Sequence, residues 1–319
     1  MNNSKENNST TAKNQFGRFT PRMALQLAAP HTWPAAILPV LLALSCAAAR
    51  GYSLSWLMAC TLLVICILMQ SAVNTFNDYY DYVKGSDSFE DNVEPSDAVL
   101  VYNNVNPRSA LALAIGFLIT AFALGVYVIY HAGITPLLLG IIGAVVVVLY
   151  SAGKTPISYL PIGEAVSGFV MGGIIPLACY QALTGVLDFL VLLWAIPVMI
   201  GIGLIMLTNN TCDIEKDIAS GRKTLSVLLG HNKARILYHA LVWIWLIAIF
   251  VIIASWFTGG WLILVFMIAA AIPLLKALLA NPLLPASRVG AMAQICSVNI
   301  ALGAFYSAAI IASATLALV

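Results

Sequence analysis

Charge is what this sequence has least of. Only 9% of its 319 residues are Asp, Glu, Lys or Arg, against 61% hydrophobic, and the mean hydropathy is +0.94. Soluble domains carry roughly a quarter charged residues, so water is excluded as the solvent for most of this chain. The 15 basic and 13 acidic residues leave a net charge of +2, too weak and dispersed for a nucleic-acid surface, and no nucleic-acid partner is expected. Cysteine chemistry is also missing. Cys46, Cys60, Cys66, Cys179 and Cys296 sit inside apolar runs, Cys212 just beyond one, and no disulfide framework or zinc spacing appears. Met1 to Gln15 are polar and Asn-rich, without the apolar stretch and small-residue site of a cleaved signal peptide. Residues 1–20 are expected to be a disordered polar tail and 21–319 a single transmembrane domain. Nothing in the sequence implies an obligate protein partner.

What is present is a series of apolar runs of spanning length: Trp33 to Ala49, Tyr52 to Val73, Ala110 to Tyr130, Thr135 to Tyr150, Gly163 to Thr184, Leu187 to Leu207, Ile236 to Trp256, Gly260 to Leu279 and Val289 to Val319. The expected fold is all-α, a polytopic membrane bundle of about nine helices. With a cytoplasmic amino terminus, Lys5, Lys13, Arg18, Arg22, Lys84, Arg108, Lys154, Lys216, Arg222, Lys223, Lys233, Arg235, Lys276 and Arg288 all fall on the inner side, and Arg50 alone falls outside. The same assignment puts almost every acid inside, leaving Arg50 and Asp188 as the outer charges. Whatever chemistry the protein performs is expected to open to the cytoplasm.

Two acidic clusters stand out. The second run continues into Asn74, Asn77, Asp78 and Asp81, then Lys84 and Asp87; the sixth continues into Asn209, Asn210, Asp213, Glu215 and Asp217. In each, an Asn is followed by an Asp four residues later and another three or four beyond, stacking oxygen ligands on one helical face. The two resemble each other and lie four helices apart, a weak internal repeat. Carboxylates brought to one mouth repel unless cations or protons intervene. Oxygen donors without matching His or Cys select a hard ion, and Mg²⁺ shared with substrate phosphate fits best. A diphosphate held between the clusters through metal follows, with Lys84, Lys154, Arg222 and Lys223 on the same side to meet its oxygens. Glu90, Asp91, Glu94 and Asp97 read as solvated loop charge, and Glu215 and Lys216 as surface residues. Asp78, Asp81, Asp213 and Asp217 extend membrane helices in matching form and read as metal ligands. Asn77, Asn209 and Asn210 read equally as ligand-positioning groups and as helix caps or interhelical hydrogen-bonding groups.

These residues resemble the UbiA superfamily of intramembrane prenyltransferases, whose Asp-rich motifs follow the second and sixth of nine helices. The similarity is carried by Ala29 to Pro39, Asn74 to Asp87, Tyr150 to Glu164, and Asn209 to Gly230. Gly85 and Asp87, where the general motif would place Asp at 85, look like the naphthoate branch. The resemblance implies a central cavity open to lipid, with Asp78, Asp81, Asp213 and Asp217 holding Mg²⁺ and a polyprenyl diphosphate. It also implies a substrate site including Asn74, Asn77, Lys84, Asp87, Tyr150, Lys154, Asn209, Asn210, Arg222 and Lys223. The implied reaction is prenylation of an aromatic acceptor, 1,4-dihydroxy-2-naphthoate, with loss of CO2 and diphosphate, giving demethylmenaquinone. The setting it implies is a bacterial inner membrane. Tyr79, Tyr80 and Tyr150 read as cation-π groups or interface anchors. Ala29 stands where relatives commonly carry a basic residue, and Glu94 to Leu100 replaces an Arg-containing stretch; His31, Lys154 and Arg22 are the substitutes to test. The alternatives are another acceptor (4-hydroxybenzoate, homogentisate, haem or a lipid), a terpene cyclase, or a secondary transporter. The last fits less well, because its acids belong at the midplane and its repeats are inverted.

Overall fold

A computed structural model describes residues 16–84, 99–103, 105–151 and 153–316, without the side chains of Lys84, Val147, Thr315 and Leu316. Within these residues there is no strand. In chain order the helices are α1 (Pro21–Ala28), α2 (Pro34–Ala49), α3 (Trp56–Lys84), α4 (Val99–Asn103), α5 (Pro107–Ala132), α6 (Thr135–Ser151), α7 (Gly163–Phe169), α8 (Ile175–Thr184), α9 (Leu190–Trp194), α10 (Ile196–Cys212), α11 (Ile214–Ala219), α12 (Leu225–Trp256), α13 (Trp261–Ala280) and α14 (Arg288–Leu316). Each apolar run read from the sequence contains a helix. Six segments are long and apolar enough to cross a membrane: Trp56–Val83, Pro107–Ala132, Gly163–Thr184, Leu225–Trp256, Thr258–Ala280 and Pro285–Ala314. A seventh arises if Pro21–Thr32 and Pro34–Ala49, bent by 55°, form one span. Thr135–Ser151 and Ile196–Cys212 are shorter apolar helices.

The helices are apolar on most sides because lipid, not water, faces them; the buried core is built where they meet. α3 lies along α5, α10 packs on α7 and α12, and α14 packs on α2, α10 and α13. Trp194, Tyr180, Tyr238 and Tyr306 fill the interior, with the Tyr306 hydroxyl donating to the Trp194 carbonyl at 2.8 Å. A smaller cluster of Leu27, Val99, Leu100, Val105 and Ala110 lies beside α1, and Phe19 and Met23 pack against it. Thr20 caps α1 by accepting from the Met23 N–H. On the opposite face, Arg50 and Asp188 pair with each other at 3.0 Å, and the guanidinium lies 5.2 Å from the Trp194 ring centre.

The segment that carries α7 into α8 approaches α10 through glycine. An added Cβ at Gly172 would stand 2.5 Å from the Met199 Cα, and one at Gly168 would stand 2.6 Å from the Met199 carbonyl oxygen. Backbone meets backbone here, as small residues four apart permit in membranes. The contact sets the height of α10, and with it the second acidic motif at its end. The turn Val170–Ile174 is π-helical, a local underwinding that helps keep both glycines on one face. Replacing Gly172 by Val is expected to lower the thermal midpoint in detergent by several degrees and to reduce activity. Gly116→Ala, in open space on α5, is expected to be neutral or to stabilise by up to about 1 kcal/mol. Equal effects from the two substitutions would contradict the packing account.

Candidate active site

The first motif lies on α3, which runs through it unbroken. Asn74 faces the break between α1 and α2: its amide donates to the Thr32 hydroxyl at 2.7 Å and the Ala28 carbonyl at 3.2 Å. Gln70 reaches the same hydroxyl at 3.3 Å, Trp33 donates to Ser71 at 3.1 Å, and Thr75 donates to the Leu27 carbonyl at 3.1 Å. These bonds hold Ala29 at φ 46, a left-handed conformation uncommon outside glycine. The Ala29-to-Pro34 corner thus turns His31 and Thr32 toward the first motif. One α-helical turn beyond Asn74, the buried Asp78 carboxylate accepts from the Val99 N–H at 2.8 Å and the Leu100 N–H at 3.3 Å. It caps α4, which gives it a structural role. Asn77 accepts a hydrogen bond from the Ser151 hydroxyl at the end of α6.

The second motif is bent. α10 ends at Cys212, Asp213 sits between helices at φ −107, and α11 begins at Ile214. The Arg288 Nε donates to Asp213 Oδ2 at 3.0 Å and its Nη2 to Asn209 Oδ1 at 2.7 Å. Asn210, one residue on, points elsewhere: its amide donates to the buried Glu164 carboxylate at 2.8 Å. Asp217 is buried and accepts from the Thr224 hydroxyl at 3.2 Å. Burial pushes its carboxyl up to about 6, against the opposing pull of Arg222 and Thr224.

Arg222 joins the motifs. Its Nη1 is 3.6 Å from Asp217 Oδ1 and its Nη2 is 3.7 Å from Asp81 Oδ1. Burial works against its charge, but the two carboxylates and Tyr159 hold its pKa above the usual value. The guanidinium lies 5.0 Å from the Tyr159 ring centre, and the Lys223 N–H donates to the Tyr159 carbonyl at 2.9 Å. Gly221, at φ 71, makes the reversal that brings this loop onto the turn Ile157–Tyr159. Two stretches far apart in sequence, around Tyr159 and around Arg222, are thereby locked together.

A cavity of about 830 Å³ opens between α2, α3, α5, α6, α8, α10 and α14. His31, Asn74, Asn77, Asp78, Asp81, Tyr150 and Asn209 line it; the rest of its wall is mostly aliphatic, including Leu62, Met69, Ile202 and Met292. Asp213 adjoins it through Arg288, which is itself a lining residue. Asp217 and Arg222 stand behind Asp81, outside the lining. Lys154 and Lys223 are exposed and do not line it. Lys84 ends α3, and its side chain lies outside the description, as do Asp87, Glu90, Asp91, Glu94 and Asp97. Sequence reasoning passed over Arg288, Gln70, Thr32 and Glu164. Of these only Glu164, an acid at the head of an apolar run, carried a signal.

Among the described residues, no three His, Cys, Asp or Glu side chains come close enough to hold a metal by themselves. The donors present are carboxylate and amide oxygens, and the 3.6 and 3.7 Å separations of the Arg222 pairs exceed hydrogen-bond length. Such a set suits a hard cation that takes one or two carboxylates and completes its shell with phosphate oxygens, as Mg²⁺ does, and does not suit an all-protein cage.

Comparison with known proteins agrees with the geometry. The UbiA prenyltransferase family profile matches residues 36–289. The 1,4-dihydroxy-2-naphthoate octaprenyltransferase of Bacillus subtilis (strain 168) is 33% identical over 245 residues, covering 76% of this chain and 77% of that protein. UbiA prenyltransferase domain-containing protein 1 of Danio rerio is 27% identical over 296 residues, 87% of this chain and 80% of that one. Among solved structures, the apo UbiA homolog of Aeropyrum pernix K1 superposes with a TM-score of 0.65 at 19% identity, over 88% of this chain and 97% of that one. A UbiA homolog of Archaeoglobus fulgidus bound to GPP and Mg²⁺ superposes with a TM-score of 0.58 at 16% identity, over 91% and 99%. The helical bundle, the paired acidic motifs and the matched length make this chain an integral membrane prenyltransferase of the UbiA family.

Proposed function

We propose that this protein transfers a polyprenyl group from polyprenyl diphosphate to 1,4-dihydroxy-2-naphthoate, releasing diphosphate and CO2 and giving demethylmenaquinone in its quinol form. The observation that carries the reading is the amphiphilic cavity, aliphatic along most of its wall and lined by Asn74, Asn77, Asp78, Asp81 and Asn209 where the two motifs adjoin it. A prenyl diphosphate has the same polarity, an apolar chain with a charged head. The acceptor is taken from the Bacillus subtilis relative. In the reaction, the bond from the prenyl C1 to the diphosphate oxygen breaks, and C1 bonds to the ring carbon that bears the carboxylate. That carbon then releases CO2, and the electron pair left behind restores the aromatic ring.

Asp78, Asp81, Asp213 and Asp217 are proposed to hold Mg²⁺. When bound, the ion would neutralise charge developing on the departing diphosphate. Arg222 is proposed to serve the diphosphate end, together with Lys84, Asp87, Lys154 and Lys223. Arg222 is fixed between Asp81 and Asp217 before substrate arrives, so its charge needs no reorganisation. The aliphatic wall excludes the water that would otherwise capture an allylic cation. Tyr150, a lining residue, is proposed to stabilise that cation through its π system. We place the amino terminus and the cavity mouth on the cytoplasmic side of a bacterial inner membrane, following the one-sided distribution of Lys and Arg. Residues 21–319 are taken as one domain.

Purified protein given geranylgeranyl diphosphate, 1,4-dihydroxy-2-naphthoate and Mg²⁺ is expected to form a product with the prenyl mass added and CO2 lost, and none in EDTA. Diphosphate release without that adduct would overturn the acceptor, and metal-independent product would overturn the Mg²⁺ role. Asp217→Asn is expected to lower turnover by roughly 100-fold or more with little change in thermal midpoint. Asp78→Ala is expected to lose activity and also about 1–3 kcal/mol of stability, because the Val99 and Leu100 N–H groups lose their acceptor. Thermal unfolding in detergent separates the two; an unchanged midpoint for Asp78→Ala would contradict the cap.

A further inference from the structure

Arg288 opens α14, where the helix dipole disfavours a cation, and no acid lies in the first turn of that helix. What holds it there is tertiary: the bonds to Asp213 and Asn209 described above. The turn before it is braced as well. Asn281 Oδ1 accepts from the Leu283 N–H and the Ser287 hydroxyl, each at 2.9 Å, and the Asn281 amide donates to Gln294 Oε1 at 2.9 Å. Leu283 is kept at φ 56, a conformation costly for a bulky side chain. A dipole-opposed cation and a strained turn are thus maintained at one point.

That point is on the cavity wall. Among the described residues lining the cavity, Arg288 is the one Lys or Arg, since Arg222 stands outside the lining with Asp81 and Asp217. His31 also lines the cavity but is solvent-exposed. The two arginines therefore serve different places: Arg222 the gap between the acidic motifs, Arg288 the cavity itself. An aromatic carboxylate entering a mostly aliphatic cavity loses its hydration and needs a charge-assisted partner. Asp78 and Asp81, also on the lining, repel it. A guanidinium offers five N–H donors in a planar fork matched to a carboxylate.

We infer that Arg288 is a specificity-determining residue that binds the carboxylate of the aromatic acceptor. The inference rests on the acceptor reading above and takes over the role left open by Ala29. Asp213 and Asn209 orient the guanidinium, so the second motif positions the acceptor as well as the diphosphate.

The test is equilibrium binding of 2-naphthoate and of its neutral isostere 2-naphthamide to the purified full-length protein in Mg²⁺ buffer, followed by naphthalene fluorescence. Wild type is expected to prefer the anion by roughly 10- to 100-fold, the worth of one charged hydrogen-bonded pair. In Arg288→Gln this ratio is expected to fall to about one, and in Arg288→Lys to an intermediate value. Because each ratio is taken within one protein, partial misfolding cancels; if Arg288→Gln cannot be purified, the Arg288→Lys ratio decides. An unchanged ratio in the variants, or no preference in wild type, overturns the assignment. Turnover of 1,4-dihydroxy-2-naphthoate by wild type is measured alongside: its absence would defeat the acceptor reading, whereas turnover with an unchanged binding ratio would defeat the Arg288 assignment alone.

Discussion

The architecture depends on how four buried or half-buried carboxylates are kept from repelling one another. Asp81 and Asp217 come from helices far apart in the chain, and Arg222 stands between them with a separation of 3.6–3.7 Å on either side. Asp213 is answered by Arg288 in the same way, at 3.0 Å. Two arginines thus link α3, the loop before α12, the α10–α11 junction and α14 around one polar end. Removing either would leave acids in a low-dielectric setting without compensation, which costs more than the pair itself contributes. The Arg222 contacts are longer than hydrogen bonds, so the site is compensated without being closed.

The remaining elements hold that polar end in register. The Gly168 and Gly172 contact fixes α10 against α7, and the Ala29 corner, clamped by Asn74, Gln70 and Thr75, fixes α2 against α3. Asp78 ties α4 to the first motif. The first motif is rigid because its helix does not break, and the second is bent at Asp213. The bend presents Asp213 toward α14 and Asp217 toward Arg222. One sequence pattern, used twice, therefore serves two geometries.

Much of this was legible in the sequence. Apolar runs separated by polar turns locate helices well when lipid is the solvent, because an unpaired backbone is intolerable there. The acidic motifs were legible because charge is so scarce in this chain. The choice of partners was not. Asn209 and Asn210 are about 100° apart on a helix, so one faces the cavity and the other Glu164; adjacency in sequence had grouped them. Lys154 and Lys223 follow the same one-sided charge pattern, yet both are exposed, and the contact of Lys223 with Tyr159 comes from its backbone. Arg288 lies 75 residues beyond Asp213, and no local pattern connects them.

The central claim is that the two motifs form one metal and diphosphate site. Anomalous diffraction from crystals soaked with Mn²⁺ and a prenyl thiolodiphosphate tests it most directly. The account predicts metal between the motifs, at coordination distance from carboxylates of both α3 and the α10–α11 segment. Metal bound by one motif alone, or prenyl thiolodiphosphate bound away from Arg222, would contradict it.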